Sequence, residues 1–381
     1  KRVRVLVAAG VAAGISAAFN APIAGVFFAM EIVLGQIGGN ALGVVVLSAV
    51  VSAVFTQAVS GAQPAFSVPD YSFGSVIELP FYLVLGLLAG PIAALYSSLV
   101  DRSHHFFREL TLPRWTTPAI AGAAVGLVAL LFPQVMGVGY VTIERVLNGT
   151  SIPMLTLVAL LVAKLVLTPI CIGSGHPGGV FAPSLFLGAV LGGAYGMLID
   201  HLFPSIDIFP PAFAMVGMAA VLAGSVHAPL TAILLLFEMT NDYRIILPLM
   251  FAVAVALYVS QRFSKESIYT RVLSRKGIRI DQGRDIEVME GVKVGEAMQT
   301  SVMTVKERES VVTATERMAR TGMHGLPVVN DEGRLVGMIT LHDVERAGGE
   351  ELTGEETVGS ICTRDLLLTN PDESLALALR R

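Results

Sequence analysis

The sequence predicts an α-helical polytopic membrane protein built from broken, internally repeated helices and followed by a small α/β domain. Three observations lead there. With 381 residues, 54% of them hydrophobic, and a mean hydropathy of +0.69, the chain is too apolar for a soluble protein with a single core. Its charges are segregated: residues 1–275 hold 13 of the 26 Lys and Arg but only 11 of the 30 Asp and Glu, and the rest fall in the last 106 residues. Between two long apolar stretches lies Gly173-Ser174-Gly175-His176-Pro177-Gly178-Gly179-Val180-Phe181-Ala182-Pro183, with four glycines and two prolines in eleven residues. Such a run cannot be a regular span, because glycine admits backbone angles that other residues avoid and proline removes a donor.

In order, residues 3–18 are rich in Ala and Gly, the composition of closely packed membrane helices. Asn20-Ala21-Pro22 breaks the pattern, and Ile23 to Leu34 is an apolar piece of 12 residues, about 18 Å, too short to cross a core of ~30 Å. Ala41–Val59 is a fuller span, and 61–78 a loop. Phe81–Val100 starts a long span ending in an interfacial or aqueous stretch, Asp101 to His105, whose adjacent histidines do not share a helix face. Pro118–Leu131 is a span and Val138–Leu147 a short amphipathic piece. Ile152–Ile170 contains Lys164, which either satisfies a buried acid or carbonyls or lends its field to a pore.

The apolar run resumes at Val180 and continues to Ile199. Gly173, Ser174, Gly175 and Pro177 form the break, and the following helix start would present N–H groups and the positive end of its dipole, an anion site without a fixed cation. Non-helical backbone at membrane depth survives only packed in protein or lining a polar cavity. Phe213–Ala223 and Leu230–Phe237 are short apolar segments, Ile245–Ser260 is the last span, and a helix from Lys265 to about Ser274 sits in a basic cluster that suggests a cytoplasmic side.

An internal repeat runs through this part. At an offset of 207 residues, Gly10, Ala12, Ala13, Ala21, Pro22 and Glu31 recur as Gly217, Ala219, Ala220, Ala228, Pro229 and Glu238. Paired breaks in two halves indicate an internally duplicated transporter. The sequence leaves open whether the repeat is inverted.

After a linker, 276–291, the period changes. Residues 302–305 read as a strand, Ser310–Thr321 as an amphipathic helix, and Gly325–Val329 with Leu335–Ile339 as a strand pair turning at Asp331-Glu332-Gly333, before a helix from Leu341. Val358-Gly359-Ser360-Ile361-Cys362 starts a second copy of Val294-Gly295-Glu296-Ala297-Met298. The domains are therefore expected at 1–275, 292–348 and, as the start of a second copy, 356–381. The chain opens inside a helical pattern with no cleavage region and stops with the repeat under way, so both ends are expected to lie inside larger units.

Phe19-Asn20-Ala21-Pro22-Ile23-Ala24-Gly25, the glycine motif and Ile268-Tyr269, in that order, resemble the CLC family of chloride channels and chloride/proton exchangers over nearly all of 1–275. The tail, through His324–Asn330 and Gly337–Asp343, resembles the CBS domain. The first resemblance implies that Val180 and Phe181 bind chloride through backbone N–H groups beside Gly178 and Gly179, and that the Tyr269 hydroxyl completes the site. Neutral amides and a hydroxyl hold an anion loosely enough to release it. It also implies a homodimer in a cell inner membrane with the CBS region in the cytoplasm, and chloride and the lipid bilayer as partners. The family's serine loop and gating glutamate loop would lie upstream of residue 1, so these 381 residues alone are not expected to conduct. Exchangers of the family carry a glutamate where Ile32 stands, which points to passive or weakly coupled chloride movement; Glu31, about 100° round the helix, is the candidate substitute on a proton path. The CBS resemblance makes Thr340 and Asp343 candidate adenine-nucleotide contacts, against a plain helix cap, and implies regulation by that region.

Other classes find less. A CBS-regulated cation transporter would need several intramembrane carboxylates on one pathway, and only Glu31 and Glu238 close apolar segments. No HExxH or nucleophile–base motif supports an enzyme, so no catalytic residue or metal ligand is assigned. Cys171 and Cys362 share no framework spacing, no bound cofactor is expected beyond the nucleotide, and a net charge of −4 gives no argument for nucleic acid.

Overall fold

The structure is a computed structural model that describes residues 2–35, 39–61, 66, 76–110, 113, 115–149, 152–206, 208–275, 292–347 and 356–380. The linker 276–291 and most of the loop at 61–78 lie outside the described residues. The chain divides into two units, 1–282 and 283–381.

The first unit is helical: α1 Arg2–Phe19, α2 Pro22–Phe28 continued by a π-helical turn Ala29–Leu34, α3 Gly39–Ser60, α4 Leu79–Glu109, α5 Thr116–Leu131, α6 Tyr140–Leu147, α7 Met154–Ser174, α8 Phe181–Leu202, α9 Pro210–Val226, α10 Pro229–Thr240, α11 Ile246–Phe263 and α12 Ile268–Arg275. Among the described residues five helical stretches are long and apolar enough to cross a membrane, and the chain is membrane-embedded. Asp101 to His105 stay helical, because α4 runs 31 residues with Pro91 inside it and carries its polar last turns beyond the apolar stretch.

α8 and α9 form the buried centre, and glycine makes their contact. Cβ atoms built on Gly188, Gly192 and Gly196 of α8 would meet α9 backbone at Gly217, Phe213 and Pro210, so the two helices run antiparallel with their main chains touching. This is small-residue packing at four-residue spacing, which lets dispersion act between backbones where hydrophobicity cannot drive helix association. Gly86 and Gly90 of α4 do the same against Ala252 to Val259 of α11.

The repeat is inverted. In both copies the residue before Ala-Pro is left-handed, Asn20 at φ 51° and His227 at φ 59°. Ala21 (φ −130°, ψ 75°) and Ala228 (φ −127°, ψ 81°) then start helices with proline in the first turn. Each second helix ends on the other's beginning: Glu238 accepts from the N–H of Ile23 and Ala24, and Glu31 from the N–H of Leu230 and Thr231, so α2 and α10 are antiparallel. The first copy is one residue longer, ending at Gly35 where the second ends at Asn241, and the π-helical turn after Phe28 absorbs the extra residue.

The second unit holds α13 Val294–Ala297, β1 Val305–Lys306, α14 Val311–Thr321, β2 Gly325–Val329, β3 Leu335–Thr340, α15 Leu341–Arg346, α16 Val358–Ile361 and α17 Leu375–Arg380. The sheet order is β1-β2-β3, parallel then antiparallel. The strand expected at 302–305 is shorter and later. Val305 pairs with Val328, which puts Thr304 opposite Pro327, a residue with no N–H for the ladder. The two copies, 64 residues apart, exchange their entrances: Val294 and Gly295 donate to the carbonyls of Glu373 and Pro371, and Val358 and Gly359 to those of Glu309 and Glu307.

Candidate functional site

The glycine motif is less broken than its composition suggests. α7 continues through Gly173 to Ser174, then closes when Gly175 turns left-handed at φ 98° and the N–H groups of Gly175 and His176 reach back to Ile172 and Cys171. The irregular backbone is confined to Gly175–Val180, and Phe181, Ala182 and Pro183 are already the first turn of α8. Proline is tolerated there because no carbonyl one turn back awaits its missing N–H.

Side chains from other helices hold this bend. Thr117 donates its hydroxyl to the Ser174 carbonyl (2.9 Å), a His176 ring N–H donates to the Pro118 carbonyl (2.8 Å), and Tyr96 donates to the Val180 carbonyl (3.2 Å). The N-terminal amides of any α-helix lack intrahelical partners and carry the positive dipole end. A cavity of about 720 Å³ opens against the motif, lined by His176, Gly178, Gly179 and Phe181 among others.

The four glycines serve three purposes. A Cβ on Gly173 would lie 2.2 Å from the Ser103 hydroxyl oxygen and 2.7 Å from its carbonyl carbon, so Gly173 lets α7 touch α4. Gly175 supplies the left-handed turn. At Gly178 and Gly179 a Cβ would meet nothing within 4 Å, so neither packing nor a positive φ demands glycine there. Gly175→Ala is expected to destabilise the protein by about 1–2 kcal/mol, and Gly178→Ala to melt like the wild type in detergent. Equal melting of the two variants would contradict this division.

Tyr269 stands in the first turn of α12. Ser267 and Thr270 cap that turn reciprocally, each backbone N–H donating to the other's hydroxyl at 2.9 and 3.1 Å. Arg271 ties α12 to the Ser264 hydroxyl and pairs with Asp101 of α4 at 3.9 Å. The Tyr269 ring meets Phe28 edge-on at 5.9 Å, Phe28 meets Phe181 at 5.6 Å, and Phe19 meets Phe181 at 5.1 Å. The structure thus brings Val180, Phe181 and Tyr269 together through Phe28. Sequence reasoning missed Phe28 and Tyr96, since an aromatic in an apolar helix carries no mark of what it will touch.

Lys164 is satisfied by carbonyls. Its ammonium donates to Val135 (2.8 Å) and Gly137 (2.6 Å), stands over the Phe186 ring at 5.1 Å, and also borders the cavity. Glu31 accepts from the Leu230 and Thr231 N–H groups and from the Thr231 hydroxyl (2.6 Å), so both of its oxygens are engaged at the start of α10.

In the second unit Thr340 and Asp343 bond first to each other. They form a capping box in which the Thr340 N–H and hydroxyl donate to Asp343 at 2.9 and 2.7 Å, while Thr363 and Arg346 donate to its other oxygen. Burial pushes the Asp343 carboxyl upward, but those hydrogen bonds and the Arg346 charge outweigh it and hold its pKa below the ordinary value.

Comparison with known proteins bears on both units. The family described as voltage gated chloride channel matches residues 1–261, and the CBS domain family matches 294–350. Chloride channel protein CLC-f of Arabidopsis thaliana is 33% identical, over 98% of this chain and 56% of its own length. The H(+)/Cl(-) exchange transporter ClcA of Vibrio parahaemolyticus is 37% identical, over 71% of this chain and 59% of its own. A crystal structure of a slow cyanobacterial Cl−/H+ antiporter superposes with a TM-score of 0.66 at 30% identity, covering 71% of this chain and 64% of that one. A eukaryotic CLC transporter, 22% identical with a TM-score of 0.65 over 99% of this chain, shows the same fold. The chain spans little more than half the length of the first two curated relatives.

Proposed function

We propose that this chain, which belongs to the voltage-gated chloride channel (CLC) family, supplies the chloride-coordinating part of an anion transport pathway. The observation that carries the proposal is the meeting of the α8 start, Val180 and Phe181, with Tyr269 around Phe28. The amides at the start of α8 bind the anion, the Tyr269 hydroxyl donates to it, and Gly178 and Gly179 leave the approach open. Lys164, which borders the same cavity, is engaged by the Val135 and Gly137 carbonyls, and neutral amides with a hydroxyl hold the ion loosely enough to release it.

Tyr269→Phe is the direct test. It keeps the ring against Phe28 and removes only the hydroxyl, and a hydrogen bond to a charged group is worth about 1.5–3 kcal/mol. Chloride affinity measured by calorimetry is expected to fall roughly tenfold or more. Unchanged affinity would remove Tyr269 from the site.

Proton-coupled exchange is the second reading, favoured by relatives named as exchangers. Ile32, which cannot take a proton, favours passive movement instead. Liposomes of the full-length protein under a chloride gradient separate the two. A pH electrode outside the vesicles registers uphill proton movement for an exchanger, and chloride flux alone for a passive pathway.

For the CBS unit we favour the helix cap over a nucleotide contact, since Thr340 and Asp343 satisfy one another. Heat of ATP binding abolished by Asp343→Ala would reverse that preference.

A further inference from the structure

We infer that Glu31 and Glu238 form a reciprocal clasp between the two inverted repeats that positions the anion site through Phe28. The inference rests on the reading of Phe181 and Tyr269 as anion-site residues, and it concerns what holds them in place.

The clasp is symmetric in its parts. The Glu238 carboxylate takes the N–H groups of Ile23 (2.9 Å) and Ala24 (2.7 Å) at the start of α2. One repeat later, the Glu31 carboxylate takes those of Leu230 (3.2 Å) and Thr231 (2.9 Å) at the start of α10. Each carboxylate meets the positive end of the other helix and satisfies amides that the helix itself cannot, a charge-assisted contact stronger than a neutral hydrogen bond. The four bonds therefore link the two repeats at both ends of the α2–α10 pair.

What makes the clasp a positioning device is what lies between its ends. Phe28 sits on α2 between the amides that Glu238 holds and Glu31 itself, and its ring touches both Phe181 and Tyr269 edge-on. Fixing both ends of this stretch fixes the turn and height of Phe28. The extra residue of the first copy falls in the π-helical turn containing Glu31, where backbone hydrogen bonding is least regular. Without the clasp, that turn offers α2 a place to slide, and Phe28 would carry the two site residues with it. Glu31 and Glu238 touch neither site residue, so they act as positioning residues.

Calorimetry of chloride binding to the full chain in detergent, below the melting temperature of every variant, provides the test. Glu238→Ala is expected to weaken chloride binding roughly 3- to 10-fold, the range of coupling carried between contacting elements. Glu238→Gln, which keeps an acceptor oxygen for the Ile23 and Ala24 amides, should recover part of the loss, and it serves alone should the alanine variant fail to fold. Phe28→Leu combined with either Glu238 variant should bind chloride no worse than the weaker single variant, because both changes release the same ring. Losses that multiply independently, or wild-type affinity in Glu238→Gln with no gain over Phe28→Leu in the cycle, would overturn the clasp as a positioning device. Tyr269→Phe run alongside keeps the two proposals apart. If Tyr269→Phe weakens binding and the Glu238 variants do not, the clasp alone fails; if Tyr269→Phe has no effect, the site reading fails and the inference falls with it.

Discussion

Gly192→Ala is expected to be the most damaging single-methyl change in the membrane unit. The new Cβ would lie 2.0 Å from the Phe213 carbonyl oxygen, 2.7 Å from its carbon and 2.9 Å from the Ala214 Cα. All three are backbone atoms of α9, so no side chain can swing aside, and α8 and α9 must move apart over their whole buried contact. Ordinary overpacking costs about 1–3 kcal/mol, and this case belongs at or above the upper limit. Because α8 begins at Phe181, its displacement also shifts the helix start proposed to bind the anion. Thermal unfolding in detergent should show a large fall in midpoint for Gly192→Ala. Gly126→Ala, where a Cβ meets nothing within 4 Å, should melt as the wild type does. Similar midpoints for both variants would mean that the backbone contact between α8 and α9 is not what holds the unit together.

Asp343→Ala should have the second largest effect, confined to the CBS unit. The residue is 4% exposed, and its loss strips partners from the Thr340 hydroxyl and N–H, from Thr363 and from Arg346. Losing a helix cap costs about 0.5–2 kcal/mol, and the half-buried Thr340 hydroxyl and N–H lose their carboxylate partner with it. The pH dependence has a definite sign. A carboxylate whose pKa is lower in the folded state stabilises fully above its unfolded value, near 4, and that stabilisation is lost as pH falls through the folded value. Urea unfolding of the full chain, followed by proteolysis of 292–380, should therefore show the wild-type unit weakening as pH falls below about 5. Asp343→Asn should be weaker at neutral pH and should flatten this dependence. A wild-type acid response retained in Asp343→Asn would assign it to another carboxylate.

Much of the architecture was legible in the residues. Charge segregation separated the membrane unit from the soluble one, the Ala-Pro breaks marked both half-helices, and the 207-residue offset found the duplication. These signals are local: composition, proline and glycine act on the backbone wherever the chain goes. The motif's boundaries were less clear, since Gly173 and Pro183 read as breakers yet sit in helices. Gly173 is glycine for the sake of Ser103 on α4, and Pro183 falls in a first turn that needs no donor.

Three things were decided only by tertiary structure. The sequence shows Glu31 and Glu238 at matching positions, but not that each reaches the other repeat's amides, the contact that makes the repeat inverted. It shows Lys164 in an apolar span, but not the Val135 and Gly137 carbonyls that accept its protons. It shows Phe28 among other apolar residues, but not the edge contacts with Phe181 and Tyr269, more than 150 positions away. The physical reason is common to all three. Helix and break are set by short-range backbone preferences that the residues carry with them, whereas the partner of a carboxylate, an ammonium or a ring is set by which helices pack, and in the membrane unit glycine-to-backbone contacts decide that.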